Sequence, residues 1–97
     1  MVFNIDRTIV TVYSYRMTKK EKLLEKATNN PNGLSFKDFC TLMKHQGWVL
    51  DHQRGSHQIW YSPKSYRLSV QDRNGKAKSY QVRQFLMRLE EESNDNA

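Results

Sequence analysis

Three turn-forming stretches constrain this chain more than any other feature: Arg54-Gly55-Ser56, Ser62-Pro63-Lys64-Ser65 and Asp72-Arg73-Asn74-Gly75. Gly allows positive φ, Pro fixes φ, and Asn and Ser bond their own backbone, so each stretch favours a bend. Between them lie runs rich in Trp, Val, Leu, Ile and Tyr that are too short for helices. Residues 48–54, 57–62 and 66–71 therefore read as three strands of an antiparallel meander.

On either side of the meander the apolar spacing changes to that of a helix. Thr18 and Glu21 make a capping-box pattern ahead of Leu23, Leu24 and Ala27, and the run Asn29-Asn30-Pro31-Asn32-Gly33 ends that helix. Ser35 caps a second helix with Phe36, Phe39, Cys40 and Met43 at i, i+3, i+4 and i+7, stopped by Gly47. A last helix begins near Ser79 and sets Val82, Phe85, Leu86 and Leu89 on one face. From Glu90 the chain turns acidic and is expected to fray, with residues 93–97 a disordered tail.

The fold class is therefore α+β: helix, helix, three-stranded antiparallel sheet, helix, with the helices packed on one sheet face and the other left open. Alternation points Leu68 and Val70 to the helices and Arg67, Ser69 and Gln71 outward. Setting Trp60 in the core puts His57, Ile59 and Tyr61 on the open face, which makes His57 and Arg67 neighbours there. His52 groups with Trp48 and Leu50, toward the core side or its margin.

Ninety-seven residues suffice for one domain with one modest core. Residues 1–16 contain no Lys and many β-branched and aromatic side chains, unlike the rest of the chain. They are expected to form an extension, disordered or a loose edge strand, before a single domain over residues 17–92. The net charge is +6, and between residues 52 and 89 stand eight Lys or Arg and one acid, Asp72. Such a balance favours a polyanionic partner, because each neutralised phosphate releases counterions. The single cysteine, Cys40, excludes an internal disulfide and reads as a buried, unreactive thiol in a reducing compartment. Metal-type Cys/His spacing is lacking and no apolar run is long enough for a membrane span, so no metal, no cofactor and a cytoplasmic location are expected.

A lone histidine at the rim of a cationic surface suits cleavage of an RNA backbone. An unperturbed imidazole titrates near 6.5, so His57 can remove a ribose 2′-hydroxyl proton while Arg54, Arg67, Lys76 and Lys78 hold the attacked phosphate. Gly55 allows close backbone approach or simply makes the hairpin turn, and Ser56 orients the imidazole or a phosphate or serves only the turn. Lys76 and Lys78 open the last helix, whose free N–H groups add to anion attraction, or form an ordinary solvated loop. His45 reads as a cation at a helix C-terminus, and His52 as a second candidate behind His57. Trp48, Trp60 and Phe85 read as core, while Tyr61 and Tyr66 are available to stack a splayed base.

The run SFKDFCTLMKHQGWVLDHQRGSHQIWYSP resembles the HicA family of toxin-antitoxin systems, also called YcfA-like, in its helix ending in Gly-aromatic and its Gly-Ser-His before an aromatic strand. The likeness spans about residues 17–92, including MTKKEKLLEK and NGKAKSYQVRQFLMRLEEE. It implies a domain like the double-stranded-RNA-binding module, with an extra N-terminal helix. It implies an mRNA-cleaving endoribonuclease without a metal, and a HicB-type antitoxin partner, the toxin being monomeric alone and hetero-oligomeric with that partner. The family's catalytic His matches His57, and its Gly-Ser matches Gly55 and Ser56. Many members carry Pro-x-His after the third strand, where this chain reads Val70-Gln71-Asp72-Arg73, so a second histidine from that position is absent. The alternatives are a non-catalytic RNA-binding module and a degenerate toxin acting only through antitoxin binding.

Overall fold

A computed structural model describes residues 17–95 of the protein. The extension expected over residues 1–16 and the last two residues lie outside the described part.

Helix α1 spans Lys19–Asn29 and begins with the full capping box: Thr18 Oγ1 accepts from the Glu21 N–H at 3.1 Å, and Glu21 Oε1 accepts from the Thr18 N–H at 2.9 Å. A 3-10 turn over Pro31–Gly33 leads to α2, Phe36–His45, where Ser35 Oγ accepts from the Asp38 N–H at 3.0 Å. Gly47 ends α2 with φ +86. Its N–H donates to the Lys44 carbonyl and the Trp48 N–H to the Met43 carbonyl, both at 3.0 Å, which is a Schellman motif.

Strands β1, Val49–Arg54, β2, His57–Tyr61, and β3, Arg67–Arg73, form an antiparallel meander. The three-stranded expectation needs one correction. A fourth strand, β4, Lys76–Ala77, pairs with the end of β3, giving a sheet of order β1-β2-β3-β4. Asn74 and Gly75 both have positive φ, at 53 and 85, so this pair forms a two-residue hairpin turn of type I′ instead of closing the sheet. The chain just before α2 joins β4, through Ala77 N–H to the Leu34 carbonyl at 3.1 Å and Phe36 N–H to the Gly75 carbonyl at 2.9 Å.

Helix α3, Ser79–Asp95, completes the fold. It runs beyond the point where a disordered tail was expected, keeping residues 93–95 helical. The physical reason is its last turns: Glu92 is buried, accepts a short hydrogen bond from Ser62 Oγ, and takes Arg88 Nε at 3.1 Å.

The core lies between the helices and one sheet face. Phe39, Leu42 and Met43 of α2 and Val82 and Phe85 of α3 meet Trp60, Leu68 and Val70 there, with Ala27 of α1 closing one side. Trp48 packs edge-on against Phe85 at 5.1 Å. Burial of a side chain of this size is worth roughly 1.5–3 kcal/mol, so this cluster fixes which sheet face is covered. Ile59 is also buried, from the opposite face and outside that cluster.

Candidate active site

The turn between β1 and β2 has Gly55 at φ +61 and Ser56 at negative φ, as in a type II′ hairpin. Nothing lies within 4 Å of where a Gly55 side chain would start, so the glycine serves the backbone angle and leaves its surroundings open. Ser56 works inside the turn: its carbonyl accepts the Asp72 N–H at 3.0 Å and its Oγ accepts Gln71 Nε2 at 3.3 Å. Gln71 is the register partner of His57, so Ser56 steadies the residue beside the imidazole. Gly55 and Ser56 thus shape the turn that presents His57.

His57 opens β2 on the open face and is exposed. Its ring makes no hydrogen bond or ion pair with another described residue. It borders an open groove of about 400 Å³ between β3 and the first turns of α3. Arg67, Ser69 and Gln71 line the sheet side of this groove, and Lys78, Tyr80, Gln81 and Gln84 the helix side. No acidic side chain lines it among the described residues. Gln81 ties the two walls together, its Oε1 accepting the Gln71 N–H at 2.9 Å along the edge of β3 that β4 leaves free.

His57 and Arg67 share the open face as expected, but the register corrects the expectation that they are neighbours there. His57 stands opposite Gln71, and Arg67 opposite Tyr61, so the two lie at opposite ends of the groove, about 13 Å apart along the strand. Shared face does not mean contact. Arg54 is the direct neighbour, opposite His57 across β1. Lys76 does not reach this groove. It lines a second one of about 510 Å³ at the N-terminus of α3, together with Arg73 and Lys78. Lys78 borders both, joining them into one cationic track.

His52 is placed differently from the expectation. The β1–β2 register shifts between Leu50 and His52: Leu50 opposes Trp60, but His52 opposes Ile59. Asp51 is the extra residue of a bulge, which inverts the alternation and turns His52 to the open face with His57 and Arg54. His52 Nδ1 lies 2.6 Å from Asp51 Oδ2, and both side chains are about half exposed. Period-two alternation from Trp48 has no means of showing such an insertion. His45 sits at the last turn of α2 with Nδ1 buried and without a hydrogen-bond partner. Tyr66, offered as a base-stacking residue, already has partners: Arg88 lies 4.7 Å over its ring and Trp48 packs edge-on at 6.3 Å.

Cys40 is half-buried, and its Sγ approaches Gln58 Oε1 at 3.4 Å. Burial pushes the thiol up to about 11, against the pull of Lys44. No cluster of His, Cys, Asp and Glu suited to a metal occurs among the described residues. None of their helices is long and apolar enough to cross a membrane.

The described residues thus form a small α+β domain with an exposed imidazole at the rim of a groove lined by cationic and neutral side chains. The family model of the HicA toxin of bacterial toxin-antitoxin systems matches residues 36–90, more than half of the chain. The chain belongs to that family, and is thus the toxin of a toxin-antitoxin pair, with an antitoxin as its counterpart. Comparisons with curated proteins and with solved structures gave no match.

Proposed function

We propose that the protein is a metal-independent endoribonuclease that cleaves messenger RNA, with His57 as the proton-transferring group. The observation that carries this reading is the free imidazole at the mouth of the cationic groove. RNA would lie along that track with its scissile phosphate over the first residue of β2. His57 then takes the 2′-hydroxyl proton as the oxygen attacks the adjacent phosphorus in line. The products are a 2′,3′-cyclic phosphate and a 5′-hydroxyl. Arg54, opposite His57, and Lys78, on the helix wall of the groove, stabilise the charge on the phosphoryl oxygens, while Arg67, Lys76 and Arg73 hold flanking phosphates. An attack by the substrate's own hydroxyl has no water to activate, so the chemistry calls for no metal.

From α2 onward the order is helix, three-stranded meander, the short β4 and a helix, which supports a scaffold like the double-stranded-RNA-binding module, with α1 added in front. The antitoxin, in this reading of the HicB type, covers the open sheet face and opposes the cations with acidic side chains. The toxin is monomeric alone, hetero-oligomeric with that partner, and cytoplasmic.

The test is cleavage of a single-stranded RNA by purified toxin in EDTA, alone and saturated with the antitoxin. General-base help is worth roughly 10²–10⁴-fold, so His57→Ala should slow cleavage by that factor while RNA and antitoxin binding persist. Antitoxin should suppress the wild-type rate. Cleavage by His57→Ala at the wild-type rate overturns the assignment, and loss of wild-type cleavage in EDTA overturns metal independence.

A further inference from the structure

A base alone leaves the departing 5′ oxygen as an unprotonated alkoxide, a poor leaving group. A second group on the open face, with a proton to give, would remove that penalty. Directly opposite His57 stands Arg54, which holds its proton at any physiological pH. On the other side stands Gln71, which has no proton to transfer. The diagonal position on β1 is His52, opposite Ile59, and diagonal partners stand about 7–8 Å apart. That is a backbone separation, and two imidazoles reaching out from it on one face can approach the same phosphodiester.

His52 occupies that position only because of the bulge. In an unbroken ladder Asp51 would oppose Ile59 and His52 would face the helices. Adjacent side chains of a regular strand also point to opposite faces and do not meet. Here Asp51 Oδ2 and His52 Nδ1 are 2.6 Å apart, a contact that the bulge makes possible. It holds Nδ1 as the donor and fixes the ring, leaving Nε2 to exchange a proton.

We infer that His52, turned to the open face by the Asp51 bulge, is the general acid that protonates the 5′ oxygen as it leaves. The inference rests on His57 being the base. Neutral His57 takes the 2′-hydroxyl proton as the 2′ oxygen bonds to phosphorus. The phosphorus–5′-oxygen bond breaks, its electron pair stays with oxygen, and the imidazolium of His52 gives up its Nε2 proton to that oxygen. His57 ends charged and His52 neutral; one proton lost to water and one regained restore the start. Asp51 is a positioning residue, since it acts through the ring of His52.

The experiment compares two short RNAs, once the cleavage position is mapped: one natural, one with sulfur in place of the scissile 5′ oxygen. A thiol titrates near 8.5, so the sulfur leaves as a thiolate without an acid. His52→Ala should slow cleavage of the natural RNA by roughly 10²–10⁴-fold and cleave the sulfur RNA at nearly the wild-type rate. Asp51→Asn should show the same pattern with a smaller deficit, and His57→Ala should be slow on both. His52→Gln repeats the measurement with a polar side chain retained, should alanine disturb the bulge. A His52 deficit equal on both RNAs, or no deficit on the natural one, overturns the acid assignment alone. Full activity of His57→Ala on both overturns the base assignment underneath it.

Discussion

Cys40 lies on the apolar stripe of α2, yet Gln58 meets its sulfur and part of its surface stays open. Its thiol, moved by burial from 9.0 to about 11, holds its proton through the physiological range. At pH 8 folded protein should therefore react with iodoacetamide roughly 100-fold more slowly than unfolded chain, as its thiolate is that much scarcer. Equal rates in the two states would show that the site opens freely. Residue by residue, the sequence was legible where a side chain's place follows from spacing alone. Trp60, Leu68 and Val70 alternate into the core as expected, and Phe36, Phe39 and Met43 hold the buried stripe of α2. His52 was not legible, because one inserted residue reverses every later position on the strand, and Asp51 carries no local mark of being the inserted one. The joint role of Gln71 and Gln81 was likewise hidden, since it depends on where α3 lies against a strand edge.

At the scale of elements, the junction of α2 and β1 is decided by Gly47. Its φ of +86 belongs to the left-handed region, and a Cβ there would stand 3.3 Å from Pro63 Cγ. Gly47→Ala should cost about 1–2 kcal/mol, read as a lowered urea midpoint with an unchanged slope. A midpoint equal to wild type would mean that the junction relaxes at no cost. Helix starts were well marked in the sequence because capping is local: Thr18 and Ser35 bond N–H groups three residues ahead. Strand β4 escaped notice because two residues carry no periodicity. Its existence depends on the Asn74-Gly75 turn and on the partner segment near Leu34, some forty positions away. The last turns of α3 escaped for a similar reason. Their anchor, Ser62 to Glu92, links residues thirty positions apart.

Taken as a whole, the molecule holds α3 at two places: Gln81 against β3, and Glu92 against Ser62 with Arg88 stacked over Tyr66. The groove wall formed by the start of α3 is thus held by contacts within the domain itself. Arg88→Ala would leave the buried Glu92 carboxylate with Ser62 alone and lower the stability of the fold. Thermal melting should show that loss, and cleavage per folded molecule at low temperature should be retained, because the His57 end of the groove keeps its own tie. Unchanged melting would deny the ion pair any structural weight. The irregularity in β1 has a further consequence at the rim of the sheet. Among the described residues β1 is an edge strand whose six residues are all exposed, beginning with Val49-Leu50, and a smooth edge of that kind offers a row of amides to a second chain. The kink at Asp51 interrupts the row of amides, and the charge of Asp51 and Arg54 stands close by. One inserted residue thus also makes this edge a less regular template for pairing with a second chain.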